Sequence, residues 1–165
     1  MTEGPGPPFT RGVVIVGTGL IGASVGLALR GRGIRVWLSD HDPGTAELAA
    51  SLGAGDLLAP DAPPPGGPAD LAVLAVPPDA VAAVLAAAQK AGLAGCYTDV
   101  ASVKASPLAA ARELGCDLAG YVPGHPVTRL VRTQFGPVRL GRLAPGTTRQ
   151  LTSSEIGELY AAVDL

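Results

Sequence analysis

Apolar residues run along this chain in short blocks, and each block is followed by a stretch with helical spacing. Val13 to Val16 is an unbroken β-branched run without polar alternation, the pattern of a parallel strand covered on both faces. "IGASVGLALRGRG" comes next, with small and apolar residues at helical spacing and a glycine stop at Gly31 or Gly33. Ile34 to Asp40 predicts a second strand ending on an acid. "DPGTAELAASLGAG" predicts a helix with Pro43 in its first turn and Gly53 near its end. "APDAPPPGGPAD" interrupts the pattern and reads as a surface loop. The alternation then resumes with a strand over Asp70 to Pro77, a helix over "DAVAAVLAAAQKAG" and a strand in "GCYTDVAS" that ends near Asp99. "SPLAAARELG" predicts a helix capped by Ser106 with Pro107 at its first position, and "DLAGYVPGHP" a last strand. Strand and helix repeated in this order predict a doubly wound α/β fold, a parallel sheet with helices on both faces.

Past Pro126 the texture changes. Between Thr128 and Gln150 there are five arginines (129, 132, 139, 142 and 149) and no acid, and apolar periodicity is weak. A short helix is expected at "SSEIGELYAAV", with Ser153 or Ser154 as its cap. The expected organisation is a disordered lead-in over 1–12, a nucleotide-binding domain over 13–126 and an atypical arginine-rich tail over 127–165.

Composition narrows the function classes. The chain has 165 residues, 47% of them hydrophobic, enough for one well-packed domain but hardly two. A net charge of -2 argues against a nucleic-acid partner. No run of 18 apolar residues appears, so no membrane contact is expected, and "MTEGPGPPFTRG" lacks the features of a signal peptide. Cys96 and Cys116 read as reduced thiols of a cytoplasmic protein, and the dispersed histidines and cysteines make no metal set.

The chemistry begins at "GTGLIG". Gly17, Gly19 and Gly22 fit G-x-G-x-x-G between a buried strand and a helix, where each glycine has its own reason. Gly17 permits the tight turn, Gly19 lets the backbone approach a pyrophosphate, and Gly22 allows close helix–strand packing. The loop Gly17, Thr18, Gly19, Leu20, Ile21 and Gly22 would therefore hold a dinucleotide at the positive end of the helix dipole. Asp40, at the end of the second predicted strand, suits the adenosine ribose hydroxyls and favours NAD, with NADP still possible. Val76 and Pro77 sit at the carboxyl end of another strand, where ligands of open sheets bind. Asp99, read either as a cap or as a site carboxylate, ends the next. A bare tight turn is the alternative reading of the glycines, and an exposed loop residue that of His41.

"VGTGLIGASVGLALR", "LAVPP", "TDVASVK" and "GHP", in this order and spacing, resemble the nucleotide-binding domain of prephenate dehydrogenases over about residues 12–126. The resemblance implies NAD(P)-dependent oxidative decarboxylation of prephenate to 4-hydroxyphenylpyruvate, or of arogenate to tyrosine, in tyrosine biosynthesis. It assigns His125 the ring 4-hydroxyl, as acceptor of its hydrogen bond or proton, and Ser102 a hydrogen bond to the same hydroxyl. Structural roles compete: His125 could satisfy backbone groups, Ser102 could cap a helix, and Lys104 could be a solvated helix residue.

The likeness stops after "GHP". Such enzymes usually continue "GHPMAG" and "SGP", whereas this chain reads "GHPVTRLVRTQFGP". They add a helical domain that closes the site, dimerises and supplies an arginine to the substrate carboxylate; only 39 residues follow Pro126 here. The expectations are a truncated or frameshifted product, or a variant that pairs with another subunit or forms a homodimer through its last helix. A catalytically inactive NAD-binding module and another reductase of the same fold are the alternatives to the dehydrogenase. Weak NAD binding and poor turnover are expected of a site open to water.

Overall fold

The computed structural model describes residues 9–59, 62–103, 105–124, 134–135, 138–139 and 149–161. The chain divides into two compact units, Met1–Val127 and Thr128–Leu165.

In the first unit strands and helices alternate: β1 (Val13–Val16), α1 (Leu20–Arg30), β2 (Val36–Ser39), α2 (Pro43–Ser51), β3 (Asp56–Leu57), β4 (Leu71–Leu74), α3 (Val81–Lys90), β5 (Tyr97–Asp99), α4 (Ala105–Glu113) and β6 (Tyr121–Val122). Among the described residues the six strands pair in the order β3-β2-β1-β4-β5-β6, every pair parallel. This is the doubly wound α/β fold that the pattern predicts.

The uniform apolar runs follow from burial on both faces. Val13 and Ile15 of β1 join Val36, Leu38 and Val73 in one core, against Ala23, Val25 and Leu29 of α1 and Ala49 of α2. Val14 points the other way, into a second core with Leu74, Tyr97, Tyr121 and the buried faces of α3 (Val81, Leu85, Ala88) and α4 (Ala111). Each fully buried Leu or Ile stabilises the fold by roughly 2 kcal/mol. Phe9 packs on the first core, and the Arg11 N–H donates to Asp70 Oδ2 at 2.6 Å; residues 1–8 of the expected lead-in lie outside the described residues.

Several boundaries differ from the sequence expectation, each for a local reason. Asp56–Leu57, to which the sequence pattern assigns no element, adds a short edge strand, β3, paired with Trp37–Leu38. Helix α4 starts at Ala105, so Ser106 is inside it and Pro107, fully buried, sits in its first turn rather than at its first position. A first-turn proline loses no intrahelical bond, which is why the helix can begin before it. Helix α2 has Pro43 in its first turn as predicted, and Asp42 caps it, accepting from the Gly44 and Thr45 N–H groups.

In the second unit, where apolar periodicity is weak, β7 (Gln134–Phe135) pairs antiparallel with β8 (Val138–Arg139), and the helix α5 (Ser153–Ala161) follows. Its cap is Thr152 rather than Ser153 or Ser154. Thr152 Oγ1 accepts from the Glu155 N–H at 3.2 Å while Glu155 Oε2 accepts from the Thr152 N–H at 2.9 Å, a reciprocal capping box. Hydrogen bonds from Arg149 and Thr152 lower the Glu155 carboxyl to about 2. Among the described residues no helix is long and apolar enough to cross a membrane.

Candidate functional site

Strands β1 and β4 are neighbours, while the chain winds outward from them to β2 on one side and β5 on the other. The crossover direction therefore reverses between them, and a crevice opens beyond their carboxyl ends. The glycine loop leaves β1 at that point.

Gly17 has φ +91, in the left-handed region that favours glycine, and its N–H donates to the Ser39 carbonyl at 2.9 Å. A Cβ on Gly17 would lie 2.5 Å from the Ala75 carbonyl oxygen and 2.9 Å from Val76 Cγ1, so the turn and the segment after β4 press together. A Cβ on Gly22 would overlap the Gly17 carbonyl oxygen. These two glycines are required by packing alone. Gly19 is different. It caps α1 with φ -62, which any residue adopts, and a Cβ there would meet nothing within 4 Å. The start of α1 has no side-chain cap and no acid in its first turn. Leu20 and Ile21 stand exposed beside it.

Asp40 follows β2 directly. Its Oδ2 accepts from the Thr18 N–H at 2.5 Å and from the Thr18 hydroxyl at 2.9 Å. Its Oδ1 accepts from the Asp42 N–H at 3.0 Å and lies 3.0 Å from His41 Nδ1. Burial pushes the Asp40 pKa up, but the Thr18 and Asp42 hydrogen bonds and the His41 charge outweigh it and leave the carboxyl below its usual value. The structure thus brings Asp40 to the glycine turn, with Thr18 as the link. Val76 is half-buried beside Gly17 and Pro77 is exposed next to it.

On the other side of the crevice Asp99 ends β5, almost wholly buried. Its Oδ2 accepts from the Tyr121 hydroxyl at 2.6 Å and its Oδ1 from the Ala101 N–H at 2.8 Å. Burial, then the hydrogen bond to Asp99 and its charge, push the Tyr121 phenol well above its usual range. A Cβ on Gly124 would overlap the Asp99 carbonyl oxygen, so the segment after β6 crosses directly over the end of β5. Ser102 is exposed in the bend after Ala101, ahead of α4. His125 and Lys104 lie outside the described residues.

Sequence reasoning missed two participants, Thr18 as the partner of Asp40 and Tyr121 as the partner of Asp99. Each pair is 22 residues apart, too far for a spacing rule.

Comparison with known proteins agrees with this geometry. The family described as "Prephenate dehydrogenase, nucleotide-binding domain" matches residues 25–131. The chain is 48% identical over 117 residues to "Probable prephenate dehydrogenase NovF" of Streptomyces niveus, a match covering 71% of this chain and 31% of that protein. It therefore spans about a third of that relative's length. Among solved structures it is similar to prephenate dehydrogenase from A. aeolicus in complex with hydroxyphenyl propionate and NAD+ (25% identity, TM-score 0.60, 73% of this chain and 43% of that one). It is also similar to Synechocystis arogenate dehydrogenase (28% identity, TM-score 0.56, 68% and 40%). A second, shorter likeness is to an uncharacterized RNA pseudouridine synthase of Mycobacterium tuberculosis, 57% identical over 42 residues, 26% of this chain and 16% of that protein. Residues 25–131 are well over half of the chain, and the chain belongs to the prephenate dehydrogenase nucleotide-binding domain family.

Proposed function

We propose that the chain binds NAD across the β1–β4 crevice and acts as the cofactor half of an oxidoreductase that converts prephenate to 4-hydroxyphenylpyruvate. The observation that carries the reading is Gly19. Its fold needs no glycine there, and the space left open lies at the uncapped start of a helix, where backbone N–H groups suit a pyrophosphate. In this reading Gly17 to Gly22 cradle the phosphates, Asp40 takes the ribose hydroxyls, and Val76 and Pro77 flank the loop. The carboxylate of Asp40 disfavours a 2′-phosphate, so NAD is preferred over NADP.

Bound NAD would supply the hydride acceptor. The chain's own part is to hold the substrate hydroxyl. His125 accepts its hydrogen bond or proton, and Ser102 bonds the same oxygen and orients the imidazole. The exposed position of Ser102, in the bend fixed by the Asp99 bond to Ala101, supports that role. Asp99 itself, committed to Tyr121 and Ala101, contributes by holding the two loops rather than by touching the cofactor. Loss of carbon dioxide makes the ring aromatic and draws the reaction forward.

Calorimetry with NAD and NADP, together with NADH formation from prephenate and from arogenate, tests the reading. NAD should bind more tightly than NADP, and Gly19→Ala should weaken it without lowering Tm. Turnover that disappears in His125→Ala supports the enzyme, and preference between the two substrates names which reaction it runs. Binding without turnover leaves an NAD-binding module, and no NAD binding at all overturns the proposal.

A second reading concerns the C-terminal unit alone. We assign the 42-residue likeness to RNA pseudouridine synthases to the end of the chain, where it would take in Thr128–Leu165 and a few residues before it. Five arginines and no acid between Thr128 and Gln150 suit RNA phosphates, reversing the expectation from net charge. Fluorescence anisotropy of the full chain with an RNA hairpin should show binding that falls steeply with salt and is lost in Arg129→Ala/Arg132→Ala/Arg142→Ala. Equal binding by that variant, or none by the wild type at low salt, would sink this reading.

A further inference from the structure

The Asp40 carboxylate is more heavily engaged than a ribose-binding acid requires. A carboxylate offers about four lone-pair positions, and the protein meets Asp40 with four partners. Two come from Thr18, both on Oδ2, through its N–H and its hydroxyl. The other two, the Asp42 N–H and His41 Nδ1, lie at Oδ1. These four are not equally exchangeable. Thr18 is 3% exposed and its backbone belongs to the turn that Gly17 fixes, so the Oδ2 pair is built into the fold. The His41 side chain is 98% exposed and can leave without disturbing any packed group.

We propose that Thr18 is the positioning residue for Asp40: it fastens Oδ2 to the glycine turn so that Oδ1, once His41 is displaced, is held ready for a ribose hydroxyl. Thr18 would then govern affinity for the adenosine end of the cofactor through Asp40, without a side-chain contact of its own. The glycine turn and the acid at the end of β2, usually treated as separate parts of such a site, become one unit here. The hydroxyl also keeps Asp40 ionised, since a bond donated to a carboxylate favours its charged form. The titratable groups facing Asp40 are His41 and Asp42, the first favouring its charge and the second opposing it.

The inference rests on the NAD reading, and the test separates the two. Thr18→Val keeps the shape and removes the hydroxyl, while Thr18→Ser keeps the hydroxyl and removes a methyl. The full chain is titrated with NAD by calorimetry, with nicotinamide mononucleotide as a probe that lacks the adenosine ribose. In parallel, the Asp40 carboxyl carbon is followed by NMR through the acid range without ligand. Thr18→Val should weaken NAD about five- to tenfold, as loss of one bond to a charged group implies, and leave the mononucleotide unchanged. It should also raise the Asp40 titration midpoint. Thr18→Ser should restore both. If the valine variant does not fold, Thr18→Ala gives the same comparison. NAD affinity and midpoint both unchanged in Thr18→Val, with normal binding by the wild type, overturn this inference alone. A wild-type chain that binds no NAD overturns the parent reading and the ribose role together, and the midpoint then shows whether Thr18 holds Asp40 at all. A lower Tm with unchanged midpoint and affinity would mean that Thr18 serves packing only, which also overturns it.

Discussion

Two aspartates close strands of the same parallel sheet, and their surroundings give them opposite duties. Asp40, past the end of β2, is held at the rim by Thr18 and Asp42 and touches an exposed histidine, so one oxygen has a replaceable partner. Asp99, at the end of β5, is 2% exposed and bound to Tyr121 and Ala101 within the core. Sequence position alone makes them equivalent, since both are acids at strand ends facing the crevice. Burial of the carboxylates themselves hardly separates them, since the Asp40 side chain is only 6% exposed. The difference lies in the partners, because the exposed His41 can give way to a ligand while the buried partners of Asp99 would be left unsatisfied. In the proposed reading the rim acid serves recognition, while the core acid holds the Ser102 bend and the segment before His125 through its bonds to Ala101 and Tyr121.

The sharpest way to break this contrast is to remove each carboxylate. Asp99→Ala strands the Tyr121 hydroxyl and the Ala101 N–H in the core and should cost about 3 kcal/mol in urea unfolding. Asp40→Ala should cost about 1 kcal/mol of stability, yet weaken NAD roughly 10- to 100-fold, the weight of hydrogen bonds to a charged group. Equal stability losses, or equal effects on NAD, would erase the distinction. The glycines sharpen it next. Gly17→Ala forces a side chain into a positive φ against the Ala75 carbonyl and should cost upward of about 2 kcal/mol. Gly19→Ala should stay within about 0.5 kcal/mol of the wild type while losing NAD affinity.

The fold was legible because burial on both faces writes itself into sequence. Runs such as Val13–Val16 and Leu71–Leu74 carry no polar alternation, and the glycine and proline stops between them mark the helices. Of the two-residue elements, β6 was legible in "DLAGYVPGHP", but β3 and the β7–β8 pair were not. β3 is an exposed edge and the β7–β8 pair is too short to show a period. At the site, spacing located the glycine motif and Asp40, but it could not tell Gly19, which the fold does not need, from Gly17 and Gly22, which it does. Nor could it show that Asp99 is buried, because its partner Tyr121 comes from β6, a strand of two residues brought alongside β5 only by the crossover through α4. Contacts made by topology rather than by local spacing leave no local signal.

The alkaline side of the comparison belongs to Tyr121. Its phenol titrates above its ordinary value in the folded state, so its neutral form contributes stability that is fully present below about pH 10 and fades as pH rises beyond that. Tyr121→Phe should cost about 1 kcal/mol near neutrality. The pH dependence of its unfolding free energy above pH 10 should also be flatter than in the wild type, measured by urea unfolding from pH 8 to 11. NAD affinity near neutrality should be almost unchanged, since the phenol acts on the framework.

The smallest effect belongs to Asp40 and has the opposite sign. Its folded pKa is depressed, so its contribution to stability is present above its ordinary value of 3.8 and is lost as pH falls through and below that value. Asp42, lowered by its bonds to Thr45 and Gly44, moves in the same direction, so the wild-type acid limb is composite. Asp40→Asn should therefore trim the loss of stability between pH 5 and pH 3 without abolishing it, whereas Asp42→Asn should remove the remainder assigned to the α2 cap. NAD binding separates the two more cleanly than stability does. Its acid limb should vanish with Asp40 and survive Asp42→Asn, because only the first carboxylate has an oxygen whose partner a ribose can replace.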